Sequence, residues 1–200
     1  MFYLIFRMFK IDLMIPEVIF SGLILAFISY ELRLQHNLPI VDVIFQVIVF
    51  FAFLWLLFRI HIFYAAVLTG LCFQAYYLTQ TFWYGLMDIL DLFNGILDFP
   101  LQLSTYLLQT VSATTTFIIG AIIYAKRKGF DYVPDKPRGR LAIAGRDKIL
   151  LLLTLLAMML FFVTLSLSSL TNNIFYFVPV ITAPFIYSYL LISYRKDRDY

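Results

Sequence analysis

His61 and Cys72 are the two side chains whose types could combine for covalent chemistry, an imidazole base beside a thiol nucleophile. Their spacing denies it. Eleven residues is close to three helical turns, so on one helix they share a face but stand ~16 Å apart. A catalytic base and thiol must come within about 2.6–3.2 Å. His36 falls at the far end of the neighbouring apolar run and meets Cys72 only by folding inward. No Ser–His–Asp set, paired intramembrane carboxylates or metal-ligand spacing occurs, and a lone cysteine excludes both a disulfide framework and a multi-thiolate site. The sequence predicts no enzyme, metal or cofactor.

Polar residues inside apolar runs are more informative. Thr105, Gln109, Ser112 and Thr116 recur at i, i+4, i+7 and i+11, which places them on one stripe of a helix. Asp42 and Gln46 share a face of a second helix, and Gln74 and Tyr77 share a face of a third. Counted from the outer ends of their runs at ~1.5 Å per residue, Gln46, Gln74 and Gln109 come to one depth, ~8–9 Å below the surface. Amides in one layer on three helices predict an outward-opening ligand pocket, with Asp42, Asp88 and Asp91 at its mouth. An acidic rim favours a cationic ligand such as a basic peptide. The plain alternative is interhelical hydrogen bonding, worth about 0.6 kcal/mol per bond. Glu17, one turn into the first run, is an intramembrane charge with Arg59 and Lys10 as the partners nearest in depth.

The elements that must position these groups follow from composition. The chain has 200 residues, 62% hydrophobic, 19% aromatic and 14% charged, with a mean hydropathy of +0.89. That excludes both a water-soluble globule and a disordered chain. The predicted fold is an all-α polytopic transmembrane bundle with six spans: 13–30, 40–58, 60–79, 104–125, 148–169 and 174–194. The split at Arg59 is required because about 40 continuous residues would reach ~60 Å, twice the hydrocarbon thickness. Residues 1–10 (MFYLIFRMFK) and 81–99 (TFWYGLMDILDLFNGILDF) read as amphipathic helices in the membrane interface, the second also as an extension of the third span. The first span is expected to stay uncleaved, since its charges follow an apolar start and no A-x-A site ends it.

Charge sets the orientation. With six spans and a cytoplasmic amino terminus, all 15 basic residues except Arg33 fall on the inner side. Both termini are then cytoplasmic and the outer face is acidic. The loop 126–147, rich in Gly, Pro and basic residues, is irregular. Its Lys126, Arg127, Lys128, Arg138, Arg140 and Arg146 are candidates for holding anionic lipid or a cytosolic partner, or simply set topology. It has no Walker motif and no folded module that would present charge to nucleic acid.

The stretch ELRLQHNLPIVDVIFQVIVFFAFLWLLFRIHIFYAAVLTGLCFQAYYLTQ (31–80) with YAKRKGFDYVP (124–134) resembles the membrane sensor region of accessory-gene-regulator-type (GHKL) quorum-sensing histidine kinases of Gram-positive bacteria. The resemblance lies in hydropathy, loop order and local runs. It implies a multi-pass sensor in the bacterial cytoplasmic membrane that binds an extracellular peptide or small molecule. Signal transduction would then reach a cytosolic or membrane protein partner, or a homodimer. After Tyr194 only RKDRDY remains, and no histidine follows His61, so the resemblance implies a sensor unit without the kinase domain. Two alternatives stay open: a substrate-binding membrane subunit of an energy-coupling-factor transporter, for which Gly22-xxx-Ala26 is the one small-residue face, and a structural membrane protein that binds no ligand.

Overall fold

The computed structural model describes residues 1–36, 38–90, 103–133, 145–168 and 178–198. Seven α-helices account for most of them: α1 Phe2–Met8, α2 Ile15–Tyr30, α3 Pro39–Ala52, α4 Ile62–Ile89, α5 Leu103–Ala125, α6 Gly145–Ser168 and α7 Val178–Arg198. Two π-helical turns, Glu31–Gln35 and Phe53–Leu57, extend α2 and α3. Five helical segments are long and apolar enough to cross a membrane: 15–33, 40–57, 62–89, 106–125 and 147–164. The residues expected to form a sixth span belong in large part to α7, which is not one of the five.

Helix starts follow from local chemistry. Pro16 and Pro39 sit in the first turns of α2 and α3, where a missing N–H leaves no bond unmade. Glu17 lies in the first turn of α2, where the helix dipole favours a carboxylate. The ends of α1, α3 and α5 share another device. Lys10, Arg59 and Arg127 adopt left-handed φ values of 49°, 54° and 51°. After Lys10 and Arg127 the next amide reaches back across the last turn, Ile11 N to Phe6 O at 2.9 Å and Lys128 N to Ile123 O at 3.1 Å. This Schellman closure usually carries glycine. At Arg59 the π-helical turn adds one residue, and Ile60 N bonds Leu54 O at 3.0 Å. His61 then opens α4, its Nδ1 accepting from Phe63 N at 3.2 Å. The break between the second and third apolar runs is therefore made without Gly or Pro. An L-residue in this conformation is strained by about 1–2 kcal/mol. Arg59→Gly is expected to raise stability by about 1 kcal/mol in denaturant unfolding in detergent; an unchanged or lower midpoint would show that the Arg59 side chain contributes more than its strain.

The centre of the bundle is α4, which packs against α1, α3, α5, α6 and α7. It runs in the same direction as α6, with Gly70 against Thr154 and Tyr77 against Phe161. The densest packing lies at the end of α4 that carries His61. There α1 turns its aromatic face into the protein: Phe2 stacks on Phe50 at 4.2 Å, Phe6 meets Phe58 edge-on at 4.8 Å, and Phe9 meets Tyr132 edge-on at 5.7 Å. The amphipathic amino-terminal helix exists, but its apolar side buries against protein. Residues 81–89 of the second expected interfacial helix continue α4 unbroken, as an extension of the third span, and 91–99 lie outside the described residues. On the outside, Ile19, Phe20, Leu23 and Phe27 of α2 and Leu152, Leu155 and Met159 of α6 are exposed, as side chains facing acyl chains would be.

Candidate functional site

Three groups of polar side chains are available to a site. The first joins α2 to α3. Asp42 is 0% exposed and accepts from Ser29 Oγ at 3.1 Å, from Gln46 Nε2 at 3.1 and 3.2 Å, and from Arg33 Nε. A buried carboxylate needs a counter-charge and donors for its lone pairs, and these three residues supply them. Asp42, expected at the pocket mouth, and Gln46, expected in the pocket's amide layer, are thus brought together but satisfy each other. The arrangement acts as a staple where the first two long helices meet.

The second group lies along α4 and α5. The indole of Trp83 donates to Thr115 Oγ1 at 2.9 Å, which sets the register of the two helices. Gln109 lies six residues, ~9 Å, from Thr115 towards the start of α5, while Gln74 lies nine residues, ~13 Å, from Trp83 in the opposite direction along the bundle. The two amides are therefore not in one layer, because α4 extends ten residues beyond the expected end of the third span. The stripe on α5 does form one face: Ser112 and Thr116 are buried and Gln109 is half-buried. Thr116 Oγ1 donates to the Ser112 carbonyl. Gln74 is 4% exposed, with its Nε2 unpartnered, and the buried Oγ of Ser112 is also unpartnered. The Tyr77 hydroxyl approaches Thr164 without reaching hydrogen-bond geometry, while its ring packs edge-on against Phe161 at 4.7 Å. Asp88 is half-buried near the end of α4. Asp91 lies outside the described residues, as does the Thr105 side chain.

The third group sits at the His61 end of α4 and joins four elements. Lys196 of α7 donates to Asp147 of α6 and, at 3.1 Å, to the Tyr64 hydroxyl of α4. Its ammonium also lies 4.2 Å from the ring centre of Tyr132, in the segment after α5, and 5.0 Å from that of Tyr64. The Tyr132 hydroxyl is 2.9 Å from Ser193 Oγ and 3.3 Å from the Tyr189 hydroxyl. Lys196, Asp147, Tyr64, Tyr132, Tyr189 and Ser193 are all buried. Burial pushes the Tyr132 hydroxyl up to about 12 despite its two hydrogen bonds, so it remains a neutral partner at physiological pH. Nearby, Asp197 Oδ1 accepts from the Asp131 amide at 2.6 Å. A paired ammonium and carboxylate under aromatic rings is a latch.

No protein-family model, curated protein or solved structure matches this chain. The reading rests on its own residues. Among the described residues no group of three or more His, Cys, Asp or Glu could hold a metal ion. Cys72 is buried in the middle of α4 and His61 caps its end, so the two are apart as their spacing requires. No ion pair joins Glu17 to Arg59 or Lys10 among the described residues; Lys10 lies 3.7 Å from Asp131 instead. Lys126, Arg127 and Lys128 are exposed at the end of α5. Arg138 and Arg140 lie outside the described residues, with the Arg146 side chain.

The latch escapes a reading of the sequence because Lys196 stands in a basic run, RKDR, that a positive-inside count absorbs whole. One signal was available. Asp147 just precedes the expected fifth span and Lys196 just follows the expected sixth, so two neighbouring antiparallel helices would bring opposite charges to one level.

Proposed function

We propose that this chain is a receptor-like sensor module of a bacterial cytoplasmic membrane, with six spans and both termini cytoplasmic. The observation that carries the reading is Gln74 Nε2, a buried polar group without a partner in the middle of α4; Ser112 Oγ on the adjacent α5 is also buried and unpartnered but lies ~18 Å away along the bundle axis. Each unsatisfied group costs about 1–3 kcal/mol, which a ligand offering acceptors and donors would recover. Arg7, Lys10, Arg59, Lys126 and Lys196 all lie at one end of the bundle, which supports the orientation. The resemblance to accessory-gene-regulator-type sensors supports a peptide or small molecule as the signal. Output would leave through α7, whose end the Lys196–Asp147 pair holds.

Ligand screening by thermal unfolding tests this. A true ligand stabilises by about 2.7 kcal/mol at a hundredfold excess over Kd, and Gln74→Leu is expected to remove that stabilisation while leaving the unliganded protein as stable or more so. Stabilisation that survives Gln74→Leu places the ligand elsewhere, and a response to no peptide or small molecule supports the structural reading. Single cysteines at Arg59 and Asp88, in a chain whose own Cys72 is buried, check orientation: only the one at Asp88 should react with an impermeant maleimide in intact cells.

A substrate-binding transporter subunit is the second reading. One observation favours it: Gly22 and Ala26 form an open face on α2, with nothing within 4 Å of a Cβ added at Gly22. Co-purification with a membrane coupling subunit and an ATPase would decide for it.

A further inference from the structure

A cavity of about 500 Å³ opens between the end of α1 and the segment following α5. Three cations line it, Arg7, Lys10 and Arg127, with one carboxylate in the lining, Asp12, and a second beside it, Asp131, whose exposed carboxylate lies 3.7 Å from Lys10. Its remaining walls are largely apolar, including Phe6, Ile11 and Ile123. The cations are not equivalent. Arg7 is fixed: its guanidinium lies 3.8 Å from the ring centre of Tyr124 and 5.4 Å from that of Tyr3. Stacking holds the guanidinium plane in place, yet its Nε is buried and has no hydrogen-bond partner. Because Nε is inaccessible, it is not the contact a ligand would make; Arg7 lines the cavity through the rest of its side chain. Lys10 and Arg127 stand at the exposed side.

Backbone geometry builds the walls. Both Lys10 and Arg127 close their helices in the left-handed region, where glycine would be unstrained, so two basic side chains are carried at a conformational cost. Gly129 lets the following segment pass directly over the end of α1. A Cβ there would stand 3.0 Å from the Arg7 carbonyl oxygen and 3.0 Å from Lys10 Cγ. The amide of Phe130 donates to Met8 O at 2.8 Å and locks that crossing.

We propose that this cavity binds a phosphate-bearing anion, with Arg7 as the fixed donor and Lys10 and Arg127 closing over the charge. Guanidinium groups match phosphate oxygens in planar, charge-assisted hydrogen bonds. The apolar walls suit an amphipathic carrier, and two sources share the chemistry: the headgroup of an anionic phospholipid and a soluble phosphate ester. The inference is independent of the ligand reading around Gln74 and holds for a sensor or a transporter subunit alike.

The test uses the whole chain in neutral detergent and follows thermal unfolding. Phosphatidylglycerol is titrated against phosphatidylcholine, and inorganic phosphate against chloride at equal ionic strength. Saturable stabilisation by phosphatidylglycerol alone assigns a lipid headgroup; stabilisation by phosphate as well assigns a site that takes soluble esters. In either case Arg127→Gln should weaken the half-saturating concentration at least tenfold, and Arg7→Lys should do so while keeping the charge. Lys148→Gln and Arg195→Gln remove the same charge from exposed positions outside the cavity and should change it less than twofold. If Arg7→Lys fails to fold, the double variant Lys10→Gln/Arg127→Gln carries the decision. No stabilisation by either anion overturns the proposal. Equal weakening by Lys148→Gln also overturns it, because it would show diffuse attraction to a basic surface.

Discussion

Lys196→Met should destabilise the protein by about 3–5 kcal/mol, the usual result of leaving one partner of a buried ion pair without its counter-charge. Lys196 and Asp147 are 7% and 4% exposed, so water cannot take over either role. The same substitution removes the donor to the Tyr64 hydroxyl and the cation between two aromatic rings. Asp147→Leu alone should cost a similar amount, since it strands the ammonium. The double variant Lys196→Met/Asp147→Leu separates a lost attraction from a stranded charge. Methionine and leucine fill the space without needing desolvated charges, so the pair is expected to recover most of the loss and match or exceed the parent. Denaturant unfolding of all four proteins in detergent completes the double-mutant cycle. A Lys196→Met loss below about 1 kcal/mol is the range of an exposed pair and would show that the latch is not closed in solution. In the sensor reading, that variant also releases the end of α7 and should signal without ligand.

How far the sequence reveals this protein differs between element and site. The long apolar runs give their helices because nothing in a bilayer competes with intrahelical hydrogen bonds. The break at Arg59 was legible from length alone, although its mechanism was not: a left-handed arginine after a π-helical turn has no residue signature. The extent of α4 was ambiguous because TFWYGLMDI has the same composition whether it lies in the interface or continues a span. That ambiguity propagated. Depths counted from residue 79 placed Gln74 beside Gln109, and a helix running on to residue 89 separates them. The stripe Gln109–Ser112–Thr116 survived because periodicity within one helix does not depend on where its neighbours end. Asp42 with Gln46 was visible as a shared face, but its partner Arg33 was not, since that contact depends on how two helices meet. Charges were read for topology, which left Lys196 undistinguished from Arg195 beside it, one buried and the other exposed.

The contact between α4 and α6 gives the other large expectation, that Gly70→Ala lowers stability by about 1–3 kcal/mol through overpacking. A Cβ at Gly70 would stand 2.1 Å from Thr154 Cγ2 and 3.3 Å from Met158 Cγ. Thr154 has little room to yield, because it is buried and its hydroxyl is bonded to the Leu150 carbonyl at 2.7 Å. Rotating its methyl away would break that bond or drive the side chain off its rotamer. In water, glycine-to-alanine in a helix interior would normally help by 0.5–1 kcal/mol or so, so the expected sign is set by packing against propensity. Thr154→Ser tests the cause, since it deletes the clashing methyl and keeps the hydroxyl. With serine there, the nearest remaining atoms to the new Cβ are Met158 Cγ at 3.3 Å and the residue-154 Cβ at 3.6 Å, and a flexible methionine absorbs the first. Gly70→Ala/Thr154→Ser should therefore be more stable than Gly70→Ala, while Thr154→Ser alone leaves a small void and loses stability. A double variant no better than the single alanine would mean that α4 and α6 separate to admit the methyl, and the small-residue contact would not be what sets their spacing.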